Sequence, residues 1–273
     1  MRNGLAQGIT RGMKILFLNL LCTGMLSMNS FAAPLDLSAC DQLYAGRGDR
    51  LIPAAQCYQA ALSTASDQDK KTVYERAFIA LSAAVNDGPK SQAEIDAIAL
   101  GLKLVGEFER VAPGTADLAY WRAVFVSFDA IRKDRGAVLP KNLFAVLKSL
   151  QQDLRSAISL DPKVHVYGPN RVLGIMHTQM PGIVGGDKSL AEKLLLDAYQ
   201  RAPELSGNHV AYAKILMVNG KDGQAKMVLE RFLAAKDQEL DPYPTEPIRT
   251  VKPELERDRK TAKAMLQELN EEE

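Results

Sequence analysis

The segment Ser189–Pro203, SLAEKLLLDAYQRAP, carries the periodicity from which we predict the architecture of the chain. Ala191, Leu195 and Ala198 recur at intervals of four and three residues, which places all three on one face of an α-helix. Pro203 follows five residues later and ends the helix, because proline has no backbone N–H to continue the hydrogen-bond ladder. The segment is therefore predicted to be a helix that packs closely against its neighbours.

The same spacing recurs along the chain, so the helix belongs to a repeated unit. It is found at Ala54, Tyr58 and Ala61, at Leu150, Leu154 and Ala157, and at Ala225, Leu229 and Phe232. Helix-ending prolines lie 49, 41 and 39 residues apart, at Pro113, Pro162, Pro203 and Pro242. This pattern is typical of the second helix of tetratricopeptide repeats. We therefore predict an all-α fold, a superhelical array of antiparallel helix hairpins built from degenerate repeats of this kind.

One turn is longer than the repeat allows. Leu173, Gly174 and His177 occupy the packing positions of a first helix, but the turn between that helix and Ala191 has five residues too many. The surplus is the glycine-rich loop PGIVGGDK, residues 181–188. We interpret the loop either as a connection between two helices or as a rim that shapes the mouth of a pocket or contacts a partner.

The end of this loop resembles a phosphate-binding loop, but its chemistry argues against that function. Phosphate-binding loops follow the pattern G-x-x-x-x-G-K-[S/T], and Asp187 stands where the second glycine is required. A carboxylate at that position repels phosphate. We predict instead that Gly182, Gly185 and Gly186 adopt backbone angles that other residues resist. Asp187 or Ser189 is expected to cap the following helix.

Residues 1–32 have the organisation of a secretory signal peptide. Lys14 precedes a mainly apolar run, and Ser30 and Ala32 supply the small residues that signal peptidase recognises. The apolar run is too short to span a bilayer, which favours cleavage over an uncleaved anchor. We therefore predict a secreted protein with one helical-repeat domain over residues 33–273.

The two cysteines that follow this segment are predicted to form a disulfide. Cys40 and Cys57 flank the turn AGRGDR at residues 45–50, each eight to nine residues from its midpoint. In an antiparallel helix hairpin this spacing places the two cysteines opposite each other, at the same level along the helix axes. A secreted protein also occupies a compartment that permits disulfides. The alternative is two buried free thiols. Cys22 lies within the signal peptide and lacks the preceding residues of a lipid-attachment site.

Composition and motifs argue against nucleic-acid binding and catalysis. Without residues 1–32 the chain carries 31 basic and 33 acidic side chains, so it has no excess of positive charge for a nucleic acid. His165, His177 and His209 are isolated in the sequence and lack the spacing of a metal site. We therefore predict a non-enzymatic protein without metal or cofactor. His177 is interpreted either as a core histidine or as a polar contact inside a pocket.

Three segments together resemble a transporter family. They are AYWRAVFVSF at 119–128, a repeat that ends in Leu-Asp-Pro at Pro162, and a P-x-x-x-G-G-D loop formed by Pro181, Gly185, Gly186 and Asp187. The region of about 117–235 is similar to the T component, the TatT family, of tripartite ATP-independent periplasmic (TRAP) transporters. The resemblance implies an all-helical periplasmic protein that associates with the transporter's substrate-binding subunit, often as a trimer. It also implies an apolar channel or pocket in each protomer.

If the chain has such a pocket, the aromatic helix at 119–128 is the main candidate for its wall, together with three residues further along the chain. The candidate lining residues are Tyr120, Trp121, Phe125, Phe128, Tyr167, His177 and Met180. We expect the helix that contains Tyr120 to face the helix that contains Gly174, with the inserted loop at one end of the seam. The same aromatic run is also typical of ordinary core. Two functions stay open: a periplasmic uptake component that holds an apolar ligand, and a secreted interaction scaffold without one.

Overall fold

The structure is a computed structural model that describes residues 35–87, 91–135, 143–242 and 252–271. The predicted signal peptide and Cys22 lie outside these ranges. The chain divides after Leu35, and the description below concerns the unit Asp36–Glu273. Within the described ranges, no helix combines the length and the apolar character needed to cross a membrane.

The described residues are all-α and include no β-strand, which confirms the fold class at that level. The α-helices are α1 Ser38–Ala45, α2 Leu51–Ala61, α3 Asp67–Asp87, α4 Gln92–Val111, α5 Ala116–Arg135, α6 Leu143–Leu160, α7 Gly168–Gln179, α8 Lys188–Arg201, α9 Ser206–Val218, α10 Asp222–Ala234 and α11 Lys252–Glu271. Short 3₁₀ segments lie in loops, at Gly48–Arg50, Gly182–Val184 and Asp237–Leu240.

The sequence signals account for helix ends and buried faces. α4, α6 and α8 each end two residues before a proline, at Pro113, Pro162 and Pro203. Of the twelve stripe residues, Ala61 is only half-buried. The other eleven point inward, each at most 4% exposed: Ala54, Tyr58, Leu150, Leu154, Ala157, Ala191, Leu195, Ala198, Ala225, Leu229 and Phe232. Because these side chains lose contact with water when the helices pack, they hold the helices together.

The described helices pack in chain order, and only some alternate helices also contact each other. Each helix contacts the next one in the chain, and further contacts join α3 to α5, α7 to α9, and α9 to α11. α5 and α7 are not packed closely on each other. α6 contacts both of them, so it bridges the space that they leave.

Two clusters of buried side chains stabilise the fold. The first is aromatic and centres on Phe78 of α3, whose ring centroid lies 5.3–5.7 Å from those of Phe108, Trp121 and Phe125. The second joins α8 to α11 and includes Leu195, Leu216, Leu229 and Ala262. The first cluster fixes the position of α5, and the second fixes the position of α9 and α11.

A disulfide between Cys40 and Cys57 joins α1 to α2, as the sequence predicts, with the two Cα atoms 5.4 Å apart. Beside it, Asp41 accepts hydrogen bonds from the Tyr58 hydroxyl and from Arg76 Nη1, each at 2.6 Å. Burial raises the pKa of Tyr58, and the hydrogen bond to Asp41 adds to this shift. A covalent bond and a partly buried ion pair therefore tie α1, α2 and α3 together.

Ion pairs join the first described helices to the last one. Arg47, in the turn after α1, donates to Asp87 Oδ2 and to Glu254 Oε1, each at 2.6 Å. Arg257 donates to the other carboxylate oxygen of Asp87 at 2.9 Å. Arg47 and Glu254 are 207 residues apart in the sequence, so these contacts bring the two ends of the described unit together.

Candidate functional site

A cavity of about 820 Å³ occupies the space between α5 and α7. α5 and α6 form one wall, and α7, α9 and α11 form the other. Ser82 and Asn86 of α3, and Met180 and Pro181 after α7, complete the lining. The volume lies within the range of roughly 300–1,000 Å³ that small-molecule sites occupy. The cavity is half enclosed, so it has an open side through which a ligand can enter.

The wall formed by α5 and α6 is apolar. Its side chains include Tyr120, Val124, Phe128, Ile131, Leu150 and Leu154. Ser127 also lies on this wall, but its hydroxyl donates to the Val124 carbonyl oxygen at 2.7 Å and is therefore satisfied within the helix. A surface of this kind favours a hydrocarbon or aromatic group, because a polar group would lose its hydrogen bonds to water there.

The opposite wall, formed by α7, α9 and α11, carries charge. Its charged side chains are Arg171, Lys214, Arg257 and Asp258, and apolar residues such as Ile175 and Val210 lie between them. Arg171 Nη1 donates to Asn208 Oδ1 at 2.9 Å. Asn208 is fully buried, and its Nδ2 donates to the carbonyl oxygens of Ala198 and Ala202. The Arg171 guanidinium is thus positioned by a neutral amide whose own hydrogen bonds are satisfied.

Asp258 is the one carboxylate among the described lining residues. It accepts a hydrogen bond from Ser206 Oγ at 2.6 Å and lies 3.6 Å from Arg257 Nε. Burial raises the pKa of Asp258, although Ser206, Arg257 and Arg171 act in the opposite direction. The contact with Ser206 fixes α11 to the start of α9 at the cavity wall.

The predicted pocket residues are divided between the cavity and the core. Those that line the cavity are Tyr120, Phe128 and Met180, with Pro181 from the loop. Trp121 and Phe125 are not among its lining residues and pack instead in the aromatic cluster around Phe78. Successive residues of a helix are about 100° apart, so the aromatic run of α5 faces two different sides.

α5 and α7 face each other across the cavity and do not pack along their length. They meet at one end, where a Cβ on Gly168 would lie 2.8 Å from the Tyr120 ring. Gly174 packs on the other side of α7, because a Cβ there would lie 2.6 Å from Leu195 of α8. Gly174 therefore does not lie at a crossing between α5 and α7, although the two helices face each other.

Tyr167 and His177 are buried outside the cavity. Tyr167 packs with Ala198 and Ala202 at the end of α8. His177 is 2% exposed, and its ring nitrogens make no hydrogen bond of ordinary geometry within the described part of the chain. Burial lowers the pKa of His177, the Arg155 charge lowers it further, and the adjacent Gly185 backbone opposes the shift. Of the two interpretations of His177, the core position agrees with these contacts.

His165 is isolated in the sequence, but in the fold it lies beside charged side chains of other helices. Its Nε2 lies 3.5 Å from Asp117 Oδ1, and Lys71 Nζ lies 2.8 Å from the other oxygen. Burial alone would raise the pKa of Asp117, but hydrogen bonds from His165 and Lys71 hold it well below its ordinary value. The His165 ring stacks on Tyr120 at 4.6 Å between centroids and so supports the cavity wall. Among the described residues, no cluster of three or more His, Cys, Asp or Glu side chains is placed to hold a metal ion.

The inserted loop borders the cavity and caps α8. Asp187 is the N-cap residue, and its Oδ1 accepts a hydrogen bond from the Leu190 N–H at 2.9 Å. Gly185 has a φ of 90°, in the left-handed region that favours glycine. Gly182 and Gly186 have no positive φ, so the expectation that their backbone angles require glycine is wrong. Nothing lies within 4 Å of a Cβ added to Gly182, whereas a Cβ on Gly186 would collide with the Met180 backbone.

Replacing Gly186 by alanine is expected to lower the free energy of unfolding by about 1–3 kcal/mol. The added Cβ would lie 1.8 Å from the Met180 carbonyl oxygen, a backbone atom that cannot rotate away. Gly182→Ala is the matched control, with an expected change within about 0.5 kcal/mol. Urea unfolding of both variants checks this prediction, and equal stability of the two would contradict the described loop geometry.

We expect the loop to bind neither ATP nor GTP. The backbone N–H groups that would surround a phosphate are already used, since Gly185 donates to the Gly182 oxygen and Gly186 to the Pro181 oxygen. The Asp187 carboxylate also lies at the start of α8, where an anion would bind. Equilibrium dialysis against each nucleotide checks this prediction. Binding that Lys188→Ala abolishes would show it to be wrong.

Two buried histidines predict a loss of stability in mild acid. His209 Nε2 donates to the Pro203 carbonyl oxygen at 2.6 Å, and its buried Nδ1 has no partner among the described residues. Burial is the main cause that lowers the pKa of both His177 and His209. A histidine whose pKa is lower in the folded than in the unfolded protein makes its full contribution to stability when the pH is above its ordinary pKa of about 6.5. That contribution is lost as the pH falls below this value.

The free energy of unfolding should therefore decrease below about pH 6.5, by up to about 1.4 kcal/mol per pH unit for each histidine. In urea unfolding across this range, His209→Phe should show a shallower dependence on pH than the wild-type chain. The raised pKa of Asp258 acts in the opposite direction in both proteins, so the comparison is between their slopes. Equal slopes would contradict the assignment to His209.

Comparison with known proteins assigns no family to the chain. No protein-family model matches it, and no curated protein matches it. The function is therefore inferred from the cavity, from the loop beside it and from the motifs in the sequence.

Proposed function

We propose that this chain is a non-enzymatic periplasmic helical-repeat protein that binds an apolar small molecule and associates with a partner protein. The observation that carries the proposal is the cavity of about 820 Å³ with its apolar wall from α5 and α6. Because the cavity is half enclosed, its apolar lining faces water and lacks the close contacts of a packed interior. A bound apolar molecule would restore the missing contacts.

The titratable groups in the cavity favour binding over catalysis. They are Arg171, Lys214, Arg257 and Asp258, and the carboxylate is already hydrogen-bonded to Ser206. Arginine and lysine hold their protons at neutral pH and act mainly by binding anions. The cavity is therefore proposed to hold a molecule without changing it.

The proposed arrangement is a superhelical array of degenerate tetratricopeptide-like hairpins. It is supported by the contacts between successive helices and by the alternate helices α3, α5, α7, α9 and α11, which line the cavity together with α6. In repeat proteins of this kind, one helix of each unit contributes to a concave binding surface. The cavity corresponds to that concave surface.

The proposed partner is the substrate-binding subunit of a TRAP-type uptake system, with the chain as its T component. The resemblance of residues 117–235, which cover α5 to α10, is the basis of this assignment. The inserted loop supports it, because Pro181 lines the cavity while Ile183 at the tip is 91% exposed. The exposed tip gives a partner an apolar contact beside the ligand, and a trimer is the expected assembly.

A second candidate is an interaction scaffold that holds no small ligand. It is favoured by exposed apolar side chains on α5, α6 and the loop: Ile131, Phe144 and Ile183, which are 54%, 66% and 91% exposed. Exposed apolar side chains that form a contiguous patch commonly mark protein-binding surfaces. In that case, the half-enclosed cavity accepts an apolar segment of the partner.

Native mass spectrometry of the purified protein without residues 1–32 tests the proposal. It predicts a trimer whose mass exceeds three bare chains by a small molecule that denaturation releases. A bare mass, together with failure of amphipathic molecules to bind when they are added, would contradict the ligand-binding function. The scaffold would then be favoured.

A further inference from the structure

We infer that the ligand is a single-chain amphipath with an anionic head group, and that Arg171 and Lys214 bind this head group. The inference rests on the proposed function, because it assumes that the cavity holds a small molecule. It adds the chemical class of the ligand and the residues that select it.

The two walls of the cavity differ in chemistry. The described cavity-lining side chains of α5 and α6 carry no charge, whereas those of α7, α9 and α11 include three cations and one carboxylate. A purely hydrocarbon ligand would leave the charged wall without a partner, and a small polar ion would leave the apolar wall against water. A molecule with a hydrocarbon chain and a charged head satisfies both walls.

One edge of the Arg171 guanidinium makes no hydrogen bond to the residues that the structure describes. The hydrogen bonds that it makes to described residues both start from Nη1, and they end on neutral oxygens of Asn208 and Val166, at 2.9 and 3.5 Å. Its Nε and Nη2 make none within the described part of the chain. A guanidinium presents such an edge to a carboxylate or phosphate in a bidentate geometry.

The Asn208 side chain explains how this edge is kept in place. Asn208 is fully buried and is fixed by hydrogen bonds to the carbonyl oxygens of Ala198 and Ala202, at 3.1 and 2.9 Å. The Asn208 side-chain oxygen accepts the hydrogen bond from Arg171 and carries no charge, so the Arg171 charge is offset only in part, by Asp258 on the same wall. A binding group that is held in position before the ligand arrives loses less entropy on binding.

The other cations of the wall have different environments. Arg257 is paired with Asp87 at 2.9 Å and lies 3.6 Å from Asp258, so its charge is compensated within the protein. Lys214 is exposed and has no ion pair in the described ranges, and it follows Gly207 by two turns on the same face of α9. Lys214 therefore adds uncompensated positive charge to the wall that carries Arg171.

The experiment is isothermal titration calorimetry of the delipidated protein with four ligands that share one alkyl chain. They are dodecanoate, dodecyl phosphate, dodecanol and dodecyltrimethylammonium, each below its micelle concentration. The inference predicts that at least one of the two anions binds about tenfold or more tightly than dodecanol, the size expected for a charge-assisted hydrogen bond. The cation should bind more weakly than dodecanol.

Substitutions test which residues cause the preference for anions over dodecanol. Arg171→Met and Lys214→Met should each reduce the preference for the anion over dodecanol while leaving dodecanol affinity nearly unchanged. Arg171→Lys keeps the charge but not the bidentate edge, so its preference should be intermediate. Lys193→Met, on the exposed face of α8, is the control that removes one charge away from the cavity. Circular dichroism establishes that each variant is folded, and Lys214→Met provides the test if the Arg171 variants are not.

The outcomes separate this inference from the proposed function. Equal affinity for the anions and dodecanol, or tighter binding of the cation, would overturn the inference and leave an apolar binding site intact. An anion preference that Lys193→Met reduces as much as Lys214→Met would also overturn it, because general surface charge would be the cause. Failure of all four ligands to bind would contradict the proposed function itself.

Discussion

Replacing Trp121 by alanine is expected to lower the free energy of unfolding by about 3–5 kcal/mol. The Trp121 side chain is 4% exposed and packs between aromatic rings, with centroids 5.3 Å from Phe78 and 6.0 Å from Phe125. Its removal would leave a void in the cluster that joins α3, α4 and α5. Urea unfolding followed by circular dichroism measures the loss.

Phe128→Ala is the matched control on the same helix. Phe128 is half-buried and lines the cavity, so its side chain already borders open space on one side. Its loss should cost less than half as much as that of Trp121. A cost for Phe128 that equals or exceeds the cost for Trp121 would mean that the two faces of α5 are assigned the wrong way round. Phe128 therefore distinguishes a cavity wall from a filled core, and Trp121 does not.

Removing the disulfide should cost about 3 kcal/mol, as expected when a bond that closes a loop of this length is lost. The bond links residues that are 17 positions apart and joins α1 to the rest of the unit. The double substitution Cys40→Ala and Cys57→Ala, compared with the oxidised wild-type chain in urea unfolding, measures this effect. Denatured but unreduced protein should show no free thiol from either position. Two reactive thiols would contradict the bond.

Local sequence patterns predicted the features that depend on near neighbours. The inward positions such as Leu154 and Leu195 follow from helical periodicity, because residues three and four apart share a helix face. The Asp187 cap and the Cys40–Cys57 bond follow from short spacings in the same way. Each of these features involves residues separated by fewer than about twenty positions.

Contacts between residues that are far apart in the sequence leave no local pattern from which they could be predicted. Arg171 and Asn208 are 37 residues apart, and Arg47 and Glu254 are 207 apart. Nothing in the local pattern distinguishes Arg171 from other arginines, since its role depends on an amide that another helix buries. For the same reason the rotation of α5, which divides its aromatic residues between cavity and core, depends on where α3 and α4 pack. The sequence therefore identified a helix that lines the cavity but not which of its faces does so.

The central claim is that the space between α5 and α7 is a ligand-binding cavity. Fluorescence titration with Nile red, a neutral apolar probe, tests it most directly when the wild-type chain is compared with Val210→Trp. Val210 lines the cavity, so an indole there should occupy the space. Met227→Trp is the control, because Met227 is 62% exposed on α10 and is not among the residues that line the cavity. We expect saturable binding to the wild type and to Met227→Trp, and loss of binding to Val210→Trp. Absence of saturable binding to the wild type, or equal binding to all three proteins, would contradict the claim.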